Sequence, residues 1–255
     1  MIALIRSEFR KVFSTKLLPI LSLAALGFVL LQIFLLVFLS PPGLEDINRL
    51  MDPAFIKTII ASAGSASVFL LILGIVAMSG EYRNQTITST FLTTPVRWRV
   101  IAGKMVTFAI LALVLALVLW FIAAITTMLL LGTQDSAPFE WSAAFSILGG
   151  TVLGLVLFAI LGVAIGSLIT SQVAAIIIAL VFTFVLEPLI TLFFLSVGKW
   201  LPGNALNAIL QTGTGDPESS ASDLLDVPVG VLVLVGYTVV FAVAAAVITN
   251  RRDIT

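Results

Sequence analysis

The chain has 255 residues, of which 60% are hydrophobic and 10% charged, with a formal net charge of zero and a mean hydropathy of +1.21. A soluble domain carries about 25% charged residues, so this composition excludes one and reads as a polytopic membrane protein. Cys and His are both absent. That closes off disulfides, thiolate and imidazole metal sites, and Cys or His nucleophiles and bases.

The first element is Met1 to Ser14. At about 100° per residue, Ile2, Ile5, Phe9, Val12 and Phe13 share one side, with Ser7, Arg10, Lys11 and Ser14 opposite and Arg6 at the boundary. This predicts a basic amphipathic helix lying in the headgroup region, over residues 1–16. The apolar run after it is longer than a signal-peptide core and is the first of several, so it is read as a span.

About 20 apolar residues are needed to cross a bilayer core. Six stretches qualify: Leu17 to Leu39, Ile56 to Ser79, Met105 to Leu131, Ala144 to Ile169, Val173 to Ser196 and Val229 to Thr249. The expected fold is all-α, since lipid offers backbone groups no partners and the alternation of a closed barrel is missing. The whole chain is taken as one transmembrane domain with both termini on the same side.

Between the second and third spans runs the polar stretch Gly80 to Lys104, with Arg83, Arg97, Arg99 and Lys104. From Asn84 to Leu92 it has neither Gly nor Pro, Ile87 and Phe91 are four apart, and Pro95 closes the run. A short surface helix and an ordinary solvated loop both fit this pattern. Counting Lys and Arg gives four before the first span, four in this loop and two in the tail, against Arg49, Lys57 and Lys199 on the other face. The excess places both termini and the loop in the cytoplasm.

Inside the spans, Ala61 to Ser67 and the pairs Gly150/Gly154 and Gly162/Gly166 supply small residues for close helix packing. That packing fits either one subunit or a dimer interface. In the fifth span Glu187 precedes Pro188. A charge there is costly and calls for a partner or a water-filled cavity, and the proline removes a helix hydrogen bond. Glu187 therefore either lines a substrate or proton path or, as a protonated carboxyl, ties a kinked helix to a neighbour. The external interval Val197 to Pro228 is too long for a turn; Leu201-Pro202-Gly203 is expected to stop the fifth span and Ala205 to Leu210 to form a short helix at the interface.

No phosphate-cradling motif is present: Gly103-Lys104-Met105 and Gly198-Lys199-Trp200 lack both the upstream Gly and the following Ser or Thr. ATP-driven work would need a second protein.

Taken together, the amphipathic start, the six spans, the long last external loop, and the run from Gly80-Glu81 through Thr86-Ile87 to Pro95-Val96-Arg97 and Gly103-Lys104 resemble the permease subunit of a type-2 ATP-binding-cassette (ABC) transporter. The resemblance implies a dimer of such subunits, same or different, on two cytoplasmic ATPase subunits that bind ATP and magnesium, in the cytoplasmic membrane of a prokaryote. This chain itself would bind no cofactor, metal or nucleic acid and would not be an enzyme. The loop would carry a coupling helix contacting the ATPase, with Glu81, Arg83, Thr86, Ile87, Phe91, Pro95 and Arg97 as coupling positions and Lys104 at its end. Family members commonly have a Ser between Pro-Val and the basic residue; here Arg97 follows Val96 directly, so Arg97 and Arg99 receive no separate roles. The expected function is export of a hydrophobic or amphipathic solute, lipid, drug or peptide. A proton-coupled transporter using Glu187 and a non-transporting scaffold or immunity protein are the alternatives.

Overall fold

The computed structural model describes residues 2–39, 49–86, 97–134, 136–212 and 225–251. Among the described residues every regular element is helical. Helix α1 (Ile2–Ser14) precedes α2 (Leu17–Phe38), the first of six helical segments long and apolar enough to cross a membrane.

The second such segment is built from three pieces. Helix α3 (Pro53–Ala61) starts where Asp52 accepts a 2.8 Å hydrogen bond from Ala54 N, with Pro53 in the first turn, where its missing N–H costs nothing. This puts the start three residues before the predicted Ile56. The small-residue run Ser62–Ala66 then tightens into a 3₁₀ turn, with the Ser62 and Ser65 hydroxyls bonding back to Ile59 O and Ser62 O. Helix α4 (Ser67–Arg83) continues from it and ends with Gln85 in the left-handed region, φ 55°.

Helix α5 (Arg97–Leu131) begins eight residues before the predicted Met105, so the third segment extends past its apolar core. Helix α6 (Trp141–Leu168) is followed at once by α7 (Gln172–Val181), whose first turn is capped by the Ser171 hydroxyl. Helix α7 widens into a π turn over Phe182–Leu186 and resumes as α8 (Glu187–Phe193). Pro188 explains the widening: its ring would press on the carbonyl four residues back in a regular helix, and it has no N–H to give.

Phe194 breaks the helix, and α9 (Leu195–Gly198) is a single turn. Pro202 does not stop the fifth span as the sequence suggested. It opens α10 (Pro202–Leu210), the short helix expected over 205–210. Helix α11 (Val227–Arg251) is the sixth segment.

The core is organised around α4 and α6. In the apolar windows of the second and fourth segments 72% and 61% of residues are buried, against 22%, 17% and 17% for the first, fifth and sixth. Three glycines bring α4 and α6 together: a Cβ at Gly166 would lie 2.6 Å from Ile75 O, one at Gly162 within 3.0 Å of Leu71 Cα, and one at Gly74 2.7 Å from Val163 N. The Gly150/Gly154 pair instead receives α10, through Ile209 and Leu206. Both small-residue pairs therefore pack inside the chain. Helix α10, though part of an external loop in sequence, is seated between α6 and α11 with Ala205, Leu206, Ala208 and Ile209 buried.

The ends of the bundle are pinned separately. At one, Arg83 reaches Gln172 Oε1 at 3.4 Å, joining the end of α4 to the start of α7. At the other, Ala137 N donates to Leu50 O at 2.8 Å.

Candidate functional site

Helix α1 carries three strips rather than two. Leu4, Glu8, Lys11 and Val12 recur three or four apart and face the protein. Leu4 packs on Gly103 of α5, where a Cβ would sit 2.6 Å from Leu4 Cδ2, and Val12 joins the core. Ile5, Phe9 and Phe13 form an apolar strip, with the Phe9 and Phe13 rings stacked at 6.3 Å. Arg6, Ser7, Arg10 and Ser14 stay exposed.

The protein-facing strip closes a ring of four alternating charges. Lys11 Nζ donates to Glu8 Oε1 at 2.7 Å and to Glu81 Oε1 at 2.8 Å. Lys104 Nζ donates to Glu81 Oε1 at 3.0 Å and to Glu8 Oε2. The side chains of Lys104, Glu8 and Glu81 are 2%, 1% and 8% exposed, and Lys11 is 45% exposed. Two carboxylates thus meet two ammonium groups in an almost closed space, so the charge is balanced where imbalance would be most costly. Glu81 Oε2 is buried with no hydrogen-bond partner among the described residues.

The positions of the four residues give the ring its meaning. Glu8 and Lys11 lie on α1, Glu81 in the last turn of α4, and Lys104 two turns into α5. Glu81 and Lys104 are the two feet of the polar loop between the second and third segments, and α1 is fastened across both. A displacement of the loop therefore reaches α1, α4 and α5 together.

The charges hold one another in place. Burial pushes the Glu8 carboxyl up, but the Lys104 charge and hydrogen bonds from Lys104 and Lys11 outweigh it and hold Glu8 below its ordinary 4.5. Burial pushes Lys11 down, and hydrogen bonds to Glu8 and Glu81 outweigh it, leaving Lys11 above its ordinary 10.5. The Glu8 contribution is present above 4.5 and is lost as pH falls through its depressed value. That of Lys11 is present below 10.5 and is lost as pH rises through its raised value. Docking of α1 is expected to be flat between about pH 5 and pH 10 and to loosen only in stronger acid or stronger alkali. Hydrogen-exchange protection of the α1 amides, corrected for intrinsic rates, measures it; a loosening centred near neutral pH would contradict the ring's charge pairing.

Of the other expected coupling positions, Arg83 points to Gln172 and away from the ring, and the Thr86 hydroxyl reaches Glu81 O at 3.5 Å. Ile87, Phe91 and Pro95 lie outside the described residues, as does the side chain of Arg97 at the start of α5. The sequence reading missed Glu8. Its signal was available: it is the one acidic residue in a basic helix and falls on the same strip as Leu4, Lys11 and Val12.

A second feature lies on the other side of the 3₁₀ turn. A groove of about 970 Å³ runs between α2, the α3–α4 junction, α7–α8 and α10. Glu187 and Pro188 both line it. Glu187 is 6% exposed, and its Oε1 accepts hydrogen bonds from Gly203 N at 2.6 Å and Asn204 N at 3.0 Å. The carboxyl thus caps the first turn of α10 from another helix. Asn204 completes the junction by donating to the Thr191 hydroxyl at 2.6 Å and to Gly198 O at 3.0 Å. The tie between a kinked helix and its neighbour, one of the two readings of this residue, is present, and the carboxyl also borders open space.

With both features in place, a family model described as ABC-2 family transporter protein was found to match residues 4–186 of the chain. The chain belongs to the ABC-2 transporter family. No curated protein matches it. This ABC-2 chain is a multi-pass membrane protein. All four ring residues fall inside the family match, while Glu187, α10 and α11 lie beyond it. The ring therefore belongs to the matched body of this ABC-2 permease, and the capped carboxyl to the remainder.

Proposed function

We propose that this chain is the membrane-spanning permease subunit of an ABC exporter, powered by a separate cytoplasmic ATPase that binds ATP and magnesium. The observation that carries this reading is the buried Glu8–Lys11–Glu81–Lys104 ring across both feet of the loop. An ATPase pressing on residues 84–96 would move α4 and α5 as one body with α1, and α4 is the helix with the most buried seam in the bundle. Hinges elsewhere could then turn that push into a change at the groove, whose floor is the 3₁₀ turn at the head of α4.

The charge bias puts the termini and this loop in the cytoplasm. The host membrane is the inner membrane of a prokaryote. The permease works as a pair, with a second copy or a related chain, and the poorly buried first, fifth and sixth segments are the faces left for that partner and for lipid. The cargo is a hydrophobic or amphipathic solute, in keeping with a groove whose walls are mainly apolar. Proton-coupled transport is less well supported. Handing a proton across needs a second titratable group, and Glu187 is the only ionisable residue among the described residues that line the groove.

The deciding experiment is purification of the tagged protein from its own host in mild detergent, with partners identified by mass spectrometry and ATPase activity assayed. A stoichiometric ATPase is expected, and it should be lost when residues 84–96 are replaced by a Gly/Ser linker of equal length. An oligomer free of ATPase would overturn the reading.

A further inference from the structure

From the groove and its single carboxyl, we propose that the cargo site takes an organic cation with an apolar body, and that Glu187 Oε2 is the oxygen that receives the cationic group. This rests on the transport reading and names the chemistry of what is carried.

The carboxyl is built into position. Pro188 and the π turn before it set the helix, and Gly203 N and Asn204 N hold Oε1. Among the described residues every hydrogen bond of Glu187 is to Oε1 or its backbone, and none is to Oε2. It is also not among the fully enclosed unsatisfied atoms, unlike Glu81 Oε2. Oε2 is thus the oxygen left to the groove that Glu187 lines.

The polar lining of the groove is otherwise neutral: the hydroxyls of Thr183 and Thr191 and the amides of Gln32 and Asn207 share the same space, with Phe28 and Phe184 supplying aromatic walls. Among the described lining residues there is no Lys or Arg. A buried carboxyl keeps its negative charge only beside a compensating charge and otherwise holds its proton, and among the described residues the chain supplies backbone donors to one oxygen only. A cation entering the groove would complete the set, while aromatic faces favour the same sign. An anionic amphiphile would meet a like charge in a confined apolar space. The volume of about 970 Å³ admits a molecule of drug or single-chain amphiphile size.

The test needs neither the ATPase nor transport, so it can fail while the transport reading stands. The purified chain in phosphatidylcholine nanodiscs is titrated with radiolabelled tetraphenylphosphonium, with empty nanodiscs as the blank. Saturable binding is expected, displaced by dodecyltrimethylammonium and not by dodecyl sulfate. Glu187→Gln keeps an acceptor for Gly203 N and Asn204 N and should weaken binding by about tenfold or more, the scale of a charge-assisted contact. Ser65→Phe, which fills the groove and leaves the carboxyl in place, should abolish it.

Binding no greater than to empty discs, equal displacement by the sulfate, or unchanged affinity in Glu187→Gln would each overturn the proposal. If Glu187→Gln loses its thermal transition and cannot be assayed, Ser65→Phe decides alone. Loss of binding with an unchanged thermal transition supports the site, and wild-type affinity overturns it.

Discussion

Replacing Lys104 with methionine is expected to undock α1 and to destabilise the folded chain by about 3 kcal/mol, the scale of breaking one side of a buried ion pair. Methionine fills similar volume and removes only the charge. Glu8 and Glu81 would then share Lys11, leaving one uncompensated negative charge among side chains that are at most 8% exposed, apart from Lys11. The least costly response is to release α1, because among the described residues it is held by the ring and by a few apolar contacts, Leu4 on Gly103 with Phe9 and Val12 against the core, while the spans keep their own packing. Exchange protection should fall across residues 4–14 while the spans remain protected. The compensating change sharpens the test. Glu8→Gln combined with Lys104→Met leaves a neutral Lys11–Glu81 pair and should recover much of the loss, a coupling of about 1.5–3 kcal/mol in the cycle. Wild-type α1 protection in Lys104→Met would show that the ring is not the fastening.

The spans were readable in the sequence because each is an apolar run bounded by polar residues, a signal that resides in neighbours along the chain. The ring was not, because its partners are distant: Lys104 and Glu8 are separated by 96 positions and Lys11 and Glu81 by 70. Composition even misdirects at Lys104. As the last basic residue of a polar loop it reads as an exposed cation, yet α5 starts earlier and the Lys104 side chain is 2% exposed. Pro202 misled for a related reason. A proline ends one helix and begins another equally well, and only the backbone donors offered to Glu187 show that this one begins α10. Glu187 itself was visible as an anomaly, and the structure shows its Oε1 tying α8 to α10 while the residue also lines the groove.

Placing a methyl group at Gly162 or Gly166 is expected to be more damaging than at most other positions in the chain, because there the obstacle is backbone. At Gly162 the new carbon would fall within 3.0 Å of Leu71 Cα, and at Gly166 2.6 Å from Ile75 O. A side chain can change rotamer, but a helix backbone can only withdraw, and withdrawal opens the whole α4–α6 seam. Overpacking costs about 1–3 kcal/mol where neighbours can adjust, so Gly162→Ala should cost about 3 kcal/mol, and the double change with Gly166→Ala should prevent a monodisperse species. Gly154→Ala meets only the movable end of Leu206 and should cost less. Gly27→Ala and Gly149→Ala, with no atom within 4 Å, should be neutral or gain a few tenths of a kcal/mol from helix propensity. Thermal unfolding in detergent orders the series. The opposite pattern, in which Gly162→Ala alters the oligomeric state and leaves subunit stability unchanged, would move this seam from the inside of the chain to its partner.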